Sequence, residues 1–178
     1  WTKRYGNSPM KVLILHGGPA GTHEYLESFQ SFFPQANIEF YEYDQLGSYY
    51  SDQPTDMSLY TIERFVEEVE QVRIALGLDK DNFVLLGQSW GGILAMEYAL
   101  KYQEHLKGLI ICNMTADFHN PSTAVKVRQF GKHETGFKVI KVTQPGGNEL
   151  NIYFNKPGDL AEFIGNLTAA ALNPDQCN

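Results

Sequence analysis

The sequence predicts an α/β fold, a parallel sheet covered by helices on both faces. Three observations carry this expectation. Short apolar runs at residues 11–15, 38–43, 83–87 and 107–112 have the length and continuity of strands buried on both sides. Helical stretches stand between them, and such alternation is what parallel connections demand. A serine between glycines, Gly87-Gln88-Ser89-Trp90-Gly91, sits where one of these strands passes into one of these helices.

Residues 2–5 read as the end of an earlier strand. Lys11-Val12-Leu13-Ile14-Leu15 is the first buried run, and it stops at His16-Gly17-Gly18-Pro19. Residues 23–33 are expected to form a helix ended by Pro34. Ile38-Glu39-Phe40-Tyr41-Glu42-Tyr43 is a strand leading into Asp44-Gln45-Leu46-Gly47-Ser48. The strongest helix lies at residues 59–76. Ile62, Phe65, Val66, Val69, Val72 and Leu76 form its apolar stripe, and Gly77 suits its C-terminal cap. Glu63, Glu67, Glu68 and Glu70 are expected to face water. Phe83-Val84-Leu85-Leu86 is the strand before Ser89, and Ile93 to Leu100 is a helix rich in good helix formers. Leu109-Ile110-Ile111-Cys112 reads as the next strand. Further on, residues 137–144 and 149–154 flank Pro145-Gly146-Gly147 and read as a β-hairpin. This hairpin is expected to pair with the open sheet edge near residues 107–112 or to stand apart as a small unit. Asp159 caps a helix through residue 172, with Leu160, Phe163, Ile164 and Leu167 on one face.

Composition sets the broad class. With 178 residues, 43% of them apolar, the chain can bury a real core, and no run is long enough to cross a membrane. A net charge of -7 argues against nucleic acid as a partner, because little basic surface is left to neutralise phosphates. The charge is uneven: 8 basic against 16 acidic residues up to Phe118, and 6 against 5 from His119 on, which marks a change of character there. Two cysteines, Cys112 and Cys177, are too few for a disulfide framework, and Cys112 in an apolar strand reads as a buried free thiol. No signal peptide is visible, so a cytoplasmic location is expected of the chain as given, which opens on Trp1 rather than methionine. No His/Cys/Asp cluster has metal-ligand spacing, and neither metal nor cofactor is expected.

The motif around Ser89 has a chemical logic. A strand–Gly-x-Ser-x-Gly–helix turn is so tight that residues two before and two after the serine must be small. The hydroxyl then stands clear of the sheet above a helix N-terminus. Acyl transfer through such a serine builds negative charge on the carbonyl oxygen, which preorganised backbone N–H groups stabilise. Trp90, the residue after the serine, supplies one such donor, and the glycine-rich loop at Gly17 and Gly18 supplies the other.

His16-Gly17-Gly18-Pro19, then Asp44-Gln45-x-Gly47-x-x-x-Ser51, then Gly87-Gln88-Ser89-Trp90-Gly91-Gly92, in this order and spacing, resembles the proline iminopeptidases of the α/β-hydrolase superfamily. The resemblance covers about residues 1–117. It implies an α/β-hydrolase-like sheet, a serine peptidase activity with Ser89 as nucleophile, Gly17, Gly18 and Trp90 as the oxyanion hole, and a peptide with N-terminal proline as substrate. Ala20 replaces a glycine usual in that family's first loop, and the family is normally longer than this chain.

The resemblance divides the chain into an N-terminal half-domain, 1–117, and a tail, 118–178, in which no family is recognisable. A serine hydrolase also needs a base and an acid, in the chain order serine, acid, histidine. His16 belongs to the glycine-rich loop, His23 lies just past it, and His105 precedes a strand at the far end of the sheet. His119 and His133 lie downstream of Ser89, and Asp117 follows the strand after its helix, so Asp117 and His133 are the candidates order permits. Two alternatives therefore stand: a serine hydrolase resembling proline iminopeptidase, or a catalytically incomplete hydrolase-derived fragment or binding protein lacking the acid/base pair. The tail is expected to leave the triad unfinished.

Overall fold

A computed structural model describes residues 1–112, and the backbone alone of residues 138–143 and 149–154. The strands are β1 (Thr2–Tyr5), β2 (Met10–Leu15), β3 (Ile38–Tyr43), β4 (Phe83–Gln88), β5 (Gly108–Cys112), β6 (Lys138–Thr143) and β7 (Glu149–Phe154). They form one sheet in the order β1-β3-β2-β4-β5-β7-β6. The middle of the sheet is parallel, with β3, β2, β4 and β5 running together, and β1 and the β7–β6 hairpin join antiparallel at either side.

Alternation along the strands divides the core. Leu13, Leu15, Tyr41, Tyr43, Phe83, Leu85, Leu109 and Ile111 pack on one face against α1 (Ile62–Ala75) and α2 (Trp90–Tyr102), through Phe65, Val69, Leu94 and Tyr98. Val12, Ile14, Ile38, Phe40, Val84, Leu86 and Ile110 pack on the other face with Leu26 and Phe33. This period of two, buried on both sides, is why the strands read as continuous apolar runs.

The expected helix at residues 23–33 is instead a 3-10 segment, Glu24–Ser31. It is tied down at its start: the backbone N–H of His23, just before it, donates to Asp44, and the Tyr25 hydroxyl joins Gly17 to Gln88, and these anchors accompany the tighter winding. The helix expected at residues 59–76 is α1, preceded by a separate 3-10 turn at Met57–Leu59. Thr61 caps α1 by accepting the Arg64 N–H at 3.2 Å, and Gly77 ends it in the left-handed region at φ +64°. The hairpin takes the first of its two expected positions. β7 pairs with β5, Cys112 opposite Leu150, and supplies hydrogen-bond partners to an edge that would otherwise be open. The helix expected at residues 159–172 lies outside the described residues. Among the described residues no helix is long and apolar enough to cross a membrane.

The acidic run of α1 corrects the sequence expectation. Glu63 is exposed, but Glu70 is buried, accepting from the Tyr98 hydroxyl at 2.7 Å and from Arg73 at 2.8 and 2.7 Å. Glu68 accepts from the Leu46 N–H at 2.9 Å and from the Tyr43 hydroxyl, and Glu67 bonds Lys101 and, at 2.9 Å, the Tyr102 hydroxyl. Helical periodicity could not reveal this, because every hydrogen-bond partner but Arg73 comes from outside α1. Ile62, assigned to the apolar stripe, is 40% exposed at the start of the helix. Glu70→Ala removes the carboxylate that pairs with Arg73 and with the Tyr98 hydroxyl, leaving Arg73 its bond to the Leu78 carbonyl, so a loss of about 2–3 kcal/mol is expected, whereas Glu63→Ala stays within about 0.5 kcal/mol. Urea unfolding midpoints of the two variants test this contrast.

Candidate functional site

The parallel strands end level with one another. Leu15 pairs with Tyr43 on one side and with Gly87 on the other, and Gln88 pairs with Cys112. The residues that follow, His16, Asp44 and Ser89, therefore emerge along one edge. The chain leaves β2 for β3 on one side and then crosses back to β4 on the other. Open α/β sheets bind ligands outside the strand ends at such a reversal.

Ser89 sits between β4 and α2 with φ 53° and ψ -119°, a conformation that an L-residue adopts at a cost of about 1–3 kcal/mol. Packing enforces it. A Cβ on Gly91 would lie 2.1 Å from the Leu15 carbonyl oxygen, and one on Gly87 would lie 2.2 Å from the Gly91 carbonyl oxygen, so helix and strand ends approach as only bare backbone permits. The Ser89 N–H donates to the Cys112 carbonyl at 3.1 Å, and the Ser89 carbonyl accepts from the Gly92 N–H at 2.8 Å. Burial pushes the Cys112 thiol up to about 11, so at neutral pH it is a protonated packing group.

The glycine-rich loop lies against the serine. A Cβ on Gly17 would stand 3.1 Å from the Ser89 Cβ and 2.7 Å from the Gln88 Oε1. Gly18 takes φ +139° and its bond to Pro19 is cis. Ala20 is left-handed at φ 62°, which explains why a glycine is usual there and marks the substitution as mildly strained. The Gly17 N–H is already engaged. It donates to the Tyr25 hydroxyl at 2.5 Å, and that hydroxyl donates to Gln88 Oε1 at 2.6 Å. Gly18 and Trp90 are thus the members of the expected donor set whose N–H groups have no acceptor among the described residues.

Each described histidine is committed elsewhere. His16 is fully buried, and its Nε2 accepts the Gln45 N–H at 3.1 Å, which puts the ring proton on Nδ1, donating to the Gly17 carbonyl at 2.8 Å. Gln45 returns its side-chain N–H to the His16 carbonyl at 3.0 Å and accepts the Trp90 indole N–H at 2.9 Å. His23 places Nδ1 2.8 Å from the buried Asp44 carboxylate and stacks on Trp1 at 4.4 Å. His105 lies 3.4 Å from Glu70, in the 3-10 turn that follows α2. None of the three hydrogen-bonds the Ser89 hydroxyl. Asp117, His119 and His133 lie outside the described residues. Among the described residues there is also no group of three or more His, Cys, Asp or Glu side chains able to hold a metal ion.

Sequence reasoning quoted Asp44 and Gln45 only as a motif and gave Tyr25 and Gln88 no role. The position of Gln45 just after a strand was the one available signal. Tyr25 carried none, because its contacts with Gly17 and Gln88 form only once loop and elbow are brought together.

The sequence profile described as the alpha/beta hydrolase fold matches residues 11–177. The chain belongs to this family. The matched span of the alpha/beta hydrolase fold includes the tail in which the sequence alone shows no family. The chain is similar to the proline iminopeptidase of Elizabethkingia meningoseptica, 70% identical over 117 residues, 65% of this chain and 39% of that protein. It is 69% identical over 117 residues to the proline iminopeptidase of Flavobacterium johnsoniae, with the same shares covered. The chain thus spans well under half the length of these relatives. Among solved structures, its hydrolase fold is similar to that of VinJ, with a TM-score of 0.61, 28% identity, and 75% of this chain and 52% of that one covered. It is also similar to that of the proline iminopeptidase of Mycobacterium smegmatis, with a TM-score of 0.59 at 22% identity, covering 96% of this chain and 64% of that one.

Two outcomes follow from this geometry. Burial pulls the His16 pKa below its ordinary 6.5, partly opposed by the bond to Gly17. Below about pH 6.5 the unfolded chain therefore binds a proton that the folded ring resists, and stability falls as pH drops from about 7 to 5. His16→Asn should be less stable at pH 7 but show a flatter dependence, read from urea midpoints at pH 5, 6 and 7. Gly91→Ala should cost about 3 kcal/mol or more, against about 1 kcal/mol for Gly77→Ala, which meets open space and only a left-handed φ. The same midpoints, taken at pH 7, decide this.

Proposed function

We propose that this chain carries the nucleophile half of a serine hydrolase that releases N-terminal proline from peptides. Ser89 Oγ attacks the prolyl carbonyl carbon, the oxygen takes the negative charge, and the Gly18 and Trp90 N–H groups stabilise it. The C–N bond then breaks, the shortened peptide leaves with its new amino group protonated, and water releases proline from the serine ester. Gly17, also assigned to the oxyanion hole from sequence, shapes the loop rather than donating, because its N–H is engaged by Tyr25. The observation that supports this most is the strained backbone of Ser89 against the glycine-rich loop. Proline as the released residue rests on the similarity to proline iminopeptidases.

Base and acid are assigned to residues beyond 112, with His133 and Asp117 the candidates that chain order allows. A second reading is favoured by one specific observation: His16, His23 and His105 are all bound to other groups. On that reading the chain is a fragment without an acid/base pair, left with the residual effect of its oxyanion donors.

A fluorophosphonate probe, which labels only an activated serine, separates the two. The proposed hydrolase is labelled at Ser89, loses all labelling in Ser89→Ala, and slows about 100-fold or more in His133→Ala. A wild-type chain that stays unlabelled, while folded by circular dichroism, sinks the hydrolase and leaves the fragment.

A further inference from the structure

We infer that Tyr25 is a positioning residue for the oxyanion loop, a strut that locks Gly17 and Gly18 onto the elbow carrying Ser89. The inference rests on the proposed role of Ser89. The Tyr25 hydroxyl accepts the Gly17 N–H at 2.5 Å and donates its proton to Gln88 Oε1 at 2.6 Å, joining the loop after β2 to the residue next to the serine. No backbone hydrogen bond among the described residues makes that connection; a separate side-chain tie runs from His16 to Gln45, after β3, and on from Gln45 to the Trp90 indole.

The bond pattern also fixes which role Tyr25 plays. A phenol has one proton, and here it is given to Gln88, so the hydroxyl has none to offer a developing oxyanion. Desolvation raises the Tyr25 pKa above 10, and the group stays protonated at neutral pH. By drawing the Gly17 N–H aside, the strut leaves the Gly18 and Trp90 N–H groups as the free pair and sets their separation. A loop that carries left-handed Ala20 and Gly18 at φ +139° has little local preference for its own shape, and a fixed point at Gly17 supplies it.

Tyr25 is 51% exposed, so Tyr25→Phe removes the hydroxyl with little effect on packing. Three measurements on the whole chain decide the matter. In 1H–15N spectra the Gly17 amide proton of Tyr25→Phe should move upfield and exchange with deuterium at least about 10-fold faster, while amides of β2 and β4 stay as in the wild type. Fluorophosphonate labelling of Ser89 should slow by about 10- to 100-fold at unchanged thermal midpoint. Gln88→Leu should slow labelling as well, and the double variant should be no slower than Tyr25→Phe alone, since both break one bridge. If wild type and Tyr25→Phe label at the same rate with the same Gly17 exchange, the strut is wrong and the hydrolase reading stands. If the wild type is not labelled at all, the hydrolase reading falls, and Gly17 exchange alone decides the strut: faster exchange in Tyr25→Phe supports it, and unchanged exchange overturns it.

Discussion

The N-terminus of α2 approaches the end of β2 so closely that a methyl group at residue 91 would sit 2.1 Å from the Leu15 carbonyl oxygen, and the rest of the site follows from that contact. With helix and strand pressed together, the chain has no room to turn gradually between β4 and α2. Ser89 absorbs the whole reversal at φ 53°, ψ -119°, and its strain is held by bonds to Cys112 on one side and to Gly92 on the other. Strain of this kind persists only where the surroundings over-determine it, and here four parallel strands do so. Their levelled ends place the loops after β2, β3 and β4 along one edge, which is where the glycine-rich loop meets the serine.

Buried polar groups then join those loops into one body. His16, uncharged and fully enclosed, bonds forward to the Gly17 carbonyl and across to Gln45, and Gln45 reaches the Trp90 indole. His23 and Asp44 tie the start of the 3-10 segment to the end of β3. Each of these side chains would be costly to bury alone, and each is partnered, so the network rigidifies the edge rather than weakening it. The same logic governs α1, where Glu67, Glu68 and Glu70 bind Lys101, Tyr43 and Tyr98 on other elements and fasten the helix to the sheet and to α2. In an acidic chain these contacts also reduce the self-repulsion of the acidic face.

The hairpin changes what the sheet edge can do. β5 receives β7 antiparallel, with Gly108 opposite Phe154 and Cys112 opposite Leu150, so the edge beside the elbow is already occupied. β6 then pairs antiparallel with β7, Lys138 opposite Phe154 and Thr143 opposite Glu149, so the hairpin adds two strands beyond β5. In the sequence, Pro145-Gly146-Gly147 lies between these two strands, the turn chemistry from which the hairpin is expected.

Local pattern and the demands of main-chain geometry were enough to read the fold class, the parallel runs, the elbow at Ser89, the cap at Gly77 and the hairpin, because each is encoded within a few residues by apolar continuity, by glycine or by turn chemistry. The tight turn at Ser89 could be singled out on the same ground, since a strand, a tight turn and a helix must follow one another in the chain. Tertiary structure alone decided that Glu70 is buried, that His16 and His23 are bound to groups other than the serine, that residues 24–31 wind as a 3-10 segment, and that the Gly17 N–H is taken by the Tyr25 hydroxyl. Those outcomes depend on partners up to 63 positions apart in the chain, as Tyr25 and Gln88 are, and no periodicity within a segment records which distant side chain will stand opposite.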